Sequence, residues 1–159
     1  MELIGKPTIN PLLFFSGKIS GYFTWLIFVL SVLGIHILPK EALGFIKYFA
    51  YIVGLLGLLF TVISLINLGR STRLGIPNGE TVFKTNGLYR ISRNPMYLGF
   101  DLMTLASMMY FLNPFVILLG AYSIVVYHLI ILAEEKYLPG RFGEKYLDYK
   151  ENVKRYIII

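Results

Sequence analysis

The chain of 159 residues contains no cysteine. That absence excludes a disulfide framework, a thiol nucleophile and any cysteine-based metal site; no metal site is expected. Charge is also scarce. Asp, Glu, Lys and Arg make up 15% of the residues, against roughly 25% in an ordinary soluble domain. With 56% hydrophobic residues, the chain has more apolar surface than one small core can hide. The excess must face lipid or a partner. A soluble enzyme with a large wetted surface is excluded, and so is a disordered chain. There is no repeat, no low-complexity tract and no internal boundary, so residues 1–159 read as one domain.

Long apolar runs are what the chain does have. A span needs about 20 mostly apolar residues. Residues 19–38 carry no charge and are followed by Pro39. A second run covers 47–69. Residues 94–133 hold Asp101 as their single charge, with Asn113-Pro114 near the middle. Proline lacks an N–H and disfavours helix in the residue before it, so this run reads as two helices in a tight hairpin. The expected fold is an all-α membrane protein with about four transmembrane helices, at 19–38, 47–69, 95–112 and 115–135. Residues 1–18 are expected to be an interfacial or re-entrant segment, because 7–16 are apolar but too short to span. Residues 70–94 form a loop. Residues 136–159 form a tail in which Leu138, Phe142, Tyr146, Tyr149, Val153 and Tyr156 make an amphipathic stripe, cut from the fourth span by Pro139-Gly140.

The net charge of +6 invites a nucleic-acid reading, but its placement gives a better one. Lys6 and Lys18 precede the first span. Arg70, Arg73, Lys84, Arg90 and Arg93 lie between the second and third. Lys136, Arg141, Lys145, Lys150, Lys154 and Arg155 follow the fourth. The positive-inside rule places both termini and the 70–93 loop in the cytoplasm. No nucleic-acid partner is expected, and the oligomeric state is left open.

Chemistry can reside at the loop end, inside the last two spans, or in the tail. Asn94 is a favoured N-cap and Pro95 suits the first helical turn. The third helix should therefore begin there, with free N–H groups and the positive end of a dipole beside Arg90 and Arg93, a ready anion site. Folding the hairpin at 113/114 brings Arg93 opposite Glu134 and sets Asp101 within about 3 Å of the height of His128, at 1.5 Å per residue. Tyr97, Asp101, Thr104 and Met108 share one helix face. Ionisable groups inside a span are costly and point inward to a cavity or partner. Asp101 and His128 are thus expected either to lock the hairpin as a buried pair or to act on a substrate proton. Adjacent Glu134 and Glu135, placed at a helix C-terminus, oppose the dipole, which hints at function.

Taken in order, Gly87-Leu88-Tyr89-Arg90, Arg93-Asn94-Pro95-Met96-Tyr97-Leu98-Gly99, Glu134-Glu135, Phe142-Gly143-Glu144-Lys145-Tyr146-Leu147-Asp148-Tyr149 and Val153-Lys154-Arg155 resemble the integral-membrane methyltransferases of the isoprenylcysteine carboxyl methyltransferase and phospholipid N-methyltransferase superfamily. The motifs cover residues 68–156. The resemblance implies S-adenosylmethionine as methyl donor, S-adenosylhomocysteine as product, and a lipidic or membrane-soluble acceptor: an amine, hydroxyl, carboxylate or thiol. The absence of a Gly-rich strand-to-helix turn agrees with a cofactor held without a Rossmann domain. The family's Arg-His-Pro-x-Tyr box falls on Arg93 to Tyr97, and its paired acids on Glu134 and Glu135. The cofactor-binding set is then Tyr89, Arg93, Asn94, Pro95, Tyr97, Leu98, Glu134 and Glu135, with the cofactor carboxylate at Arg93 and its amino group at Glu134 or Glu135. Asp101, His128 and Tyr97 are the expected catalytic residues.

Three departures stand out. Asn94 replaces the usual His, as in bacterial members, which points to a prokaryotic cytoplasmic membrane. The closing Pro after Val153 is missing. Leu68-Gly69-Arg70-Ser71 matches only part of the phospholipid branch's Gly-x-Gly element. The competing reading is a non-catalytic scaffold or small transporter using the Asp101/His128 pair.

Overall fold

The computed structural model describes residues 7–38, 42, 44–69 and 83–157. Their regular structure is entirely helical: α1 (Pro11–Val32), α2 (Phe45–Leu68), α3 (Pro95–Phe111), α4 (Pro114–Phe142) and α5 (Glu144–Asn152), with a 3-10 turn at Gly87–Arg90 leading into α3. Helices α1, α2 and α4 are long and apolar enough to cross a membrane. Helix α3 has 17 residues, about one turn short of the usual span of roughly 20. Lys6, Lys40, Arg70 and Arg73, and most of the expected 70–93 loop with the Arg70-Ser71 end of the partial glycine element, lie outside the described residues.

Three helices start with the same dipeptide, Asn-Pro. Proline presets the helical φ at the first turn, where its missing N–H costs nothing, and Asn before it can cap. At α1 the Asn10 side chain accepts a hydrogen bond from the Leu12 amide at 2.9 Å. At α4 Asn113 accepts from Phe115 at 2.9 Å. At α3, Asn94 holds the cap position but makes no side-chain cap; its amide is committed elsewhere.

These starts correct two expected boundaries. Residues 11–18 are the first two turns of α1 rather than a separate interfacial segment, because the Asn10 cap and Pro11 nucleate the helix there. The same helix stops at Val32, not at residue 38. Gly34 adopts φ 87°, and its N–H donates to the Ser31 carbonyl while that of Ile35 reaches Leu30. This left-handed glycine closure satisfies the last carbonyls and turns the chain out of the helix. A third correction concerns Pro139-Gly140. Helix α4 runs through both to Phe142; proline forfeits one backbone bond, and the break comes at Gly143 with φ 58°.

Small residues set the helix contacts. The buried residues of α2 are Ala50, Gly54, Gly57 and Ser64, one narrow stripe; most of its other side chains are exposed and apolar. The stripe packs on α3, where a Cβ on Gly57 would sit 2.8 Å from the Gly99 carbonyl oxygen, and one on Gly99 would sit 2.7 Å from that of Gly57. In lipid, where apolar burial gives no drive between helices, such backbone approach is a main source of association. Helix α1 leans on α4 in the same way, with Gly17 against Val126 and Gly21 against Ser123. One core cluster gathers Ile27, Phe28, Ala50, Ala106, Tyr110, Phe111 and Val116. The other, nearer the α4–α5 end, gathers Phe14, Tyr97, Val126, Tyr127, Ile130 and Ile131.

Substituting Gly57 by Val should therefore push α2 off α3 and cost about 1–3 kcal/mol or more, seen as a lowered thermal midpoint in detergent. Gly140→Ala, where an added Cβ meets nothing within 4 Å, should not lower it.

Candidate functional site

Glu135 lies on α4 two turns before the helix ends, and its side chain is 5% exposed. Three residues converge on its carboxylate. Arg93, just ahead of α3, donates Nε to Oε1 at 3.1 Å and Nη2 to Oε2 at 3.0 Å. Arg155 of the tail donates Nε to Oε2 at 3.0 Å. Asn94 donates its amide nitrogen to Oε1 at 2.9 Å. The two-pronged Arg–carboxylate geometry is the strong form of the ion pair. Burial alone would favour a neutral acid, so these donors are what make a charged Glu135 tolerable. The expected helix-end position is thus corrected. Glu134 and Glu135 are not at the C-terminus of α4, and the dipole conflict inferred from the sequence does not arise.

The remaining Arg93 donor is committed too. Its Nη1 reaches the carbonyls of Val153 at 2.6 Å and Lys150 at 3.1 Å, while its backbone N–H donates to the Lys154 carbonyl at 2.8 Å. Ser92 Oγ donates to the Arg155 carbonyl at 2.8 Å and accepts from the Asn94 amide at 3.1 Å. Arg93 is therefore a clamp on the tail, not a free cation at an open helix N-terminus. Arg90, expected beside it, is exposed on the 3-10 turn. Pro95 is buried in the first turn, and Leu98 makes the first helical bond, to the Asn94 carbonyl, at 3.0 Å.

Glu134 faces elsewhere. Its Oε1 accepts from the Tyr97 hydroxyl at 2.8 Å, one residue of register away from the expected Arg93 contact. Tyr89 and Lys18 also lie within its electrostatic reach. The Tyr97 ring belongs to an aromatic wall: Tyr127 at 5.8 Å, Phe100 at 6.0 Å, and Trp25 at 5.0 Å from Phe100.

The expected Asp101–His128 pair does not form. His128 Nδ1 shares a hydrogen bond of 2.7 Å with the Tyr156 hydroxyl, and the two rings stack. Tail residue Tyr156 captures the imidazole because the tail folds back along α4. Asp101 Oδ1 is buried without a hydrogen-bond partner, with Tyr127 and Tyr156 as electrostatic neighbours. Asp101 and His128 are thus not bonded to each other, and Tyr156 lies beside both.

The tail closes over this end through aromatic contacts. Phe83 stacks on Phe142 at 4.9 Å and meets Tyr149 at 5.3 Å and Tyr146 at 5.9 Å edge-on. Tyr149 donates its hydroxyl to the Tyr89 carbonyl at 2.6 Å. Burial raises the phenols of Tyr89 and Tyr149 and pushes that of Tyr146 up to about 12.

Sequence reasoning missed Lys18, which was counted among the charges that set topology. It sits two turns inside α1, is 6% exposed, and lies with its ammonium 4.0 Å over the Phe14 ring. The signal was available: Asn10-Pro11 matches the two helix starts that were read correctly, and it places Lys18 inside a helix. Phe83 and the role of Arg155 were missed for want of any local signal.

With this geometry in hand, similarity to known proteins can be weighed. A family model for phospholipid methyltransferases matches residues 45–145. The chain belongs to this family. It is 36% identical over 75 residues to a protein-S-isoprenylcysteine O-methyltransferase of Dictyostelium discoideum, covering 46% of this chain and 32% of that protein. It is 35% identical over 72 residues to protein-S-isoprenylcysteine O-methyltransferase A of Arabidopsis thaliana, covering 43% of this chain and 36% of that one. These matches take in about a third of the length of the curated relatives. The resemblance noted in the motifs therefore stands at the level of the family.

Two predictions follow from the clamp. Arg93 and Ser92 hold the carbonyls of Lys150, Lys154 and Arg155, three bonds that trypsin would cut. Glu135→Gln leaves two guanidiniums without their counter-charge and should cost about 3–5 kcal/mol. Limited trypsinolysis should then cut the tail at least about 100-fold faster than in the native protein. The second concerns alkaline pH. The folded tail keeps the Tyr146 proton up to about 12, whereas an unfolded phenol loses it near 10. The folded form binds more protons in that window, so stability falls as pH rises from 10 to 12. Absorbance of tyrosinate at 295 nm should show a late step, reduced in Tyr146→Phe.

Proposed function

We propose that the protein transfers a methyl group from S-adenosylmethionine to a membrane-soluble acceptor at the cytoplasmic ends of α1, α3 and α4, with α3 as a fourth, short span. The observation that carries this reading is the contrast within one cluster. Glu135 has every donor it needs, while Glu134 and Asp101 on neighbouring faces keep accepting capacity, beside a wall of aromatic rings. When bound, S-adenosylmethionine supplies an electrophilic methyl on a sulfonium centre. The residues present fit such a ligand. Glu134, held by Tyr97, offers a carboxylate to an ammonium group. The rings of Tyr89 and Tyr97 offer faces that attract cations and can pack on a base. Arg93, Asn94 and Glu135 act by holding the start of α3, the end of α4 and the tail in register, and Pro95 and Leu98 shape the first turn. This shifts Arg93 from a direct ligand of the cofactor to the residue that positions the others.

Asp101 lies one turn beyond Tyr97 on the same face, and its bare Oδ1 takes the proton that an amine or hydroxyl acceptor gives up. Alignment and exclusion of water account for the rest of the rate. The activity named for the relatives, O-methylation of protein S-isoprenylcysteine, keeps a carboxylate acceptor in play; such a group needs no base.

Calorimetric titration of detergent-purified protein with S-adenosylhomocysteine should show saturable binding; none at millimolar ligand, with the protein folded, would sink the reading. Glu134→Gln should weaken that binding by about 1.5–3 kcal/mol, the worth of a charge-assisted contact. Asp101→Asn should preserve it while lowering turnover and altering its pH dependence, measured as radiolabelled methyl passing into lipids of a total membrane extract. Unchanged turnover in Asp101→Asn would make Asp101 structural.

A further inference from the structure

Lys18 is the one cation of the cluster that the fold leaves without a hydrogen-bonding partner. As a residue it is 6% exposed. Among the described residues no acceptor reaches its ammonium, which rests 4.0 Å over the Phe14 ring and feels Glu134 only at longer range. A largely buried ammonium whose donors meet no protein acceptor gives up hydration with little return. A ring face recovers about 2 kcal/mol when desolvated. Arg93 and Arg155 both bond Glu135, which leaves the Lys18 donors untaken beside Glu134.

The position is also open to lipid. Phe15, Ile19 and Tyr22, the residues around Lys18 on the outer side of α1, are 46%, 65% and 41% exposed, so acyl chains lie against them in a membrane. The Lys18 ammonium points the other way, toward the α1–α4 seam and Glu134. An amphiphile whose chain lies along α1 thus meets this ammonium with its polar head.

We propose that Lys18 binds the anionic group, carboxylate or phosphate, of an acyl-chain acceptor lying against α1, and so sets the acceptor's charge class. The assignment rests on the methyltransferase reading for the word acceptor, but the binding it describes needs no S-adenosyl ligand. Lys18 supplies up to three donors to the head. The aromatic wall from Trp25 to Tyr97 flanks the chain. A group next to the anion, carried toward Asp101, would be the one methylated.

The single tryptophan makes the test direct. Trp25 lies two turns beyond Lys18 on the same face of α1, with its indole N–H donating to Thr104 at 2.8 Å. Bromine on an acyl chain quenches tryptophan at contact range. Protein in uncharged maltoside micelles is titrated with dibromostearate, with dibromostearyl phosphate, or with dibromostearamide as the neutral head. Saturable quenching by one or both anionic probes, about 10–100-fold tighter than by the amide, is expected from charge-assisted contacts. Preference between the two probes tells carboxylate from phosphate. Lys18→Met should bring the anionic probes to the level of the amide, while the Trp25 emission maximum and thermal midpoint show that it is folded. Equal quenching by all three heads overturns the proposal, as does a folded Lys18→Met that quenches like the native protein. Should Lys18→Met fail to fold, the contrast between anionic heads and amide in the native protein decides. A failed cofactor titration would leave this result standing, and the reverse, so the two readings fail separately.

Discussion

The carboxylate of Glu135 is the constraint on which the α4–α5 end of this molecule depends. One side chain on α4 receives Arg93 and Asn94 from the start of α3 and Arg155 from the tail. A buried carboxylate is costly unless its lone pairs are met, and here they are met from two segments, the start of α3 and the tail. Each local irregularity follows from that. Asn94 abandons the capping role that Asn10 and Asn113 play. Ser92 takes over the Asn94 amide. The chain after α5 runs back along the bundle instead of out into solvent, because Arg93 draws the carbonyls of residues 150, 153 and 154.

A satisfied network and a set of unsatisfied groups lie side by side. Buried polar atoms are nearly always paired, so the exceptions need a reason. The Glu135 carboxylate itself is fully met by its donors. A helical turn or two away, Asp101 Oδ1 and the Tyr127 hydroxyl have no partner, and the Lys18 ammonium has only a ring. The rigid part holds the geometry, and the idle groups are the ones the proposed ligands would use. Close helix contact is what makes the second possible. Gly17 and Gly21 let α1 approach α4, which brings Lys18 up to Glu134 and carries Trp25 over Phe100.

Much of this was legible in the sequence, and for physical reasons. Asn-Pro announces a helix start because both residues act locally, and the break at residues 112–113 follows from it. The grouping of Arg93, Tyr97 and the two acids was readable from hairpin arithmetic to within one residue. Partner choice was not. Which acid meets Arg93 depends on the rotation of α4, and which group meets His128 depends on where the tail travels; neither is a property of a short window. The end of α1 was misplaced because a hydrophobic count extends through Gly34, whose positive φ ends the helix whatever the residues beyond it. Pro139 misled in the opposite sense, since a helix with tertiary support can lose one backbone bond and continue. Lys18 was left outside the first helix because that helix was started eight residues late.

The clamp also has a direction in time. Residues 150–156 are synthesised about sixty residues after Arg93, some 3–12 s later at roughly 5–20 residues per second. Helices α1 to α4 are all made before the tail, so the small-residue contacts of α2 on α3 and of α1 on α4 can form first. Until the tail arrives, Arg93 and Glu135 have only each other and Asn94, and Tyr156 is not there to hold His128. Packing of the helices and closure of the clamp are therefore ordered in time, the second waiting on residues 150–156 to leave the ribosome.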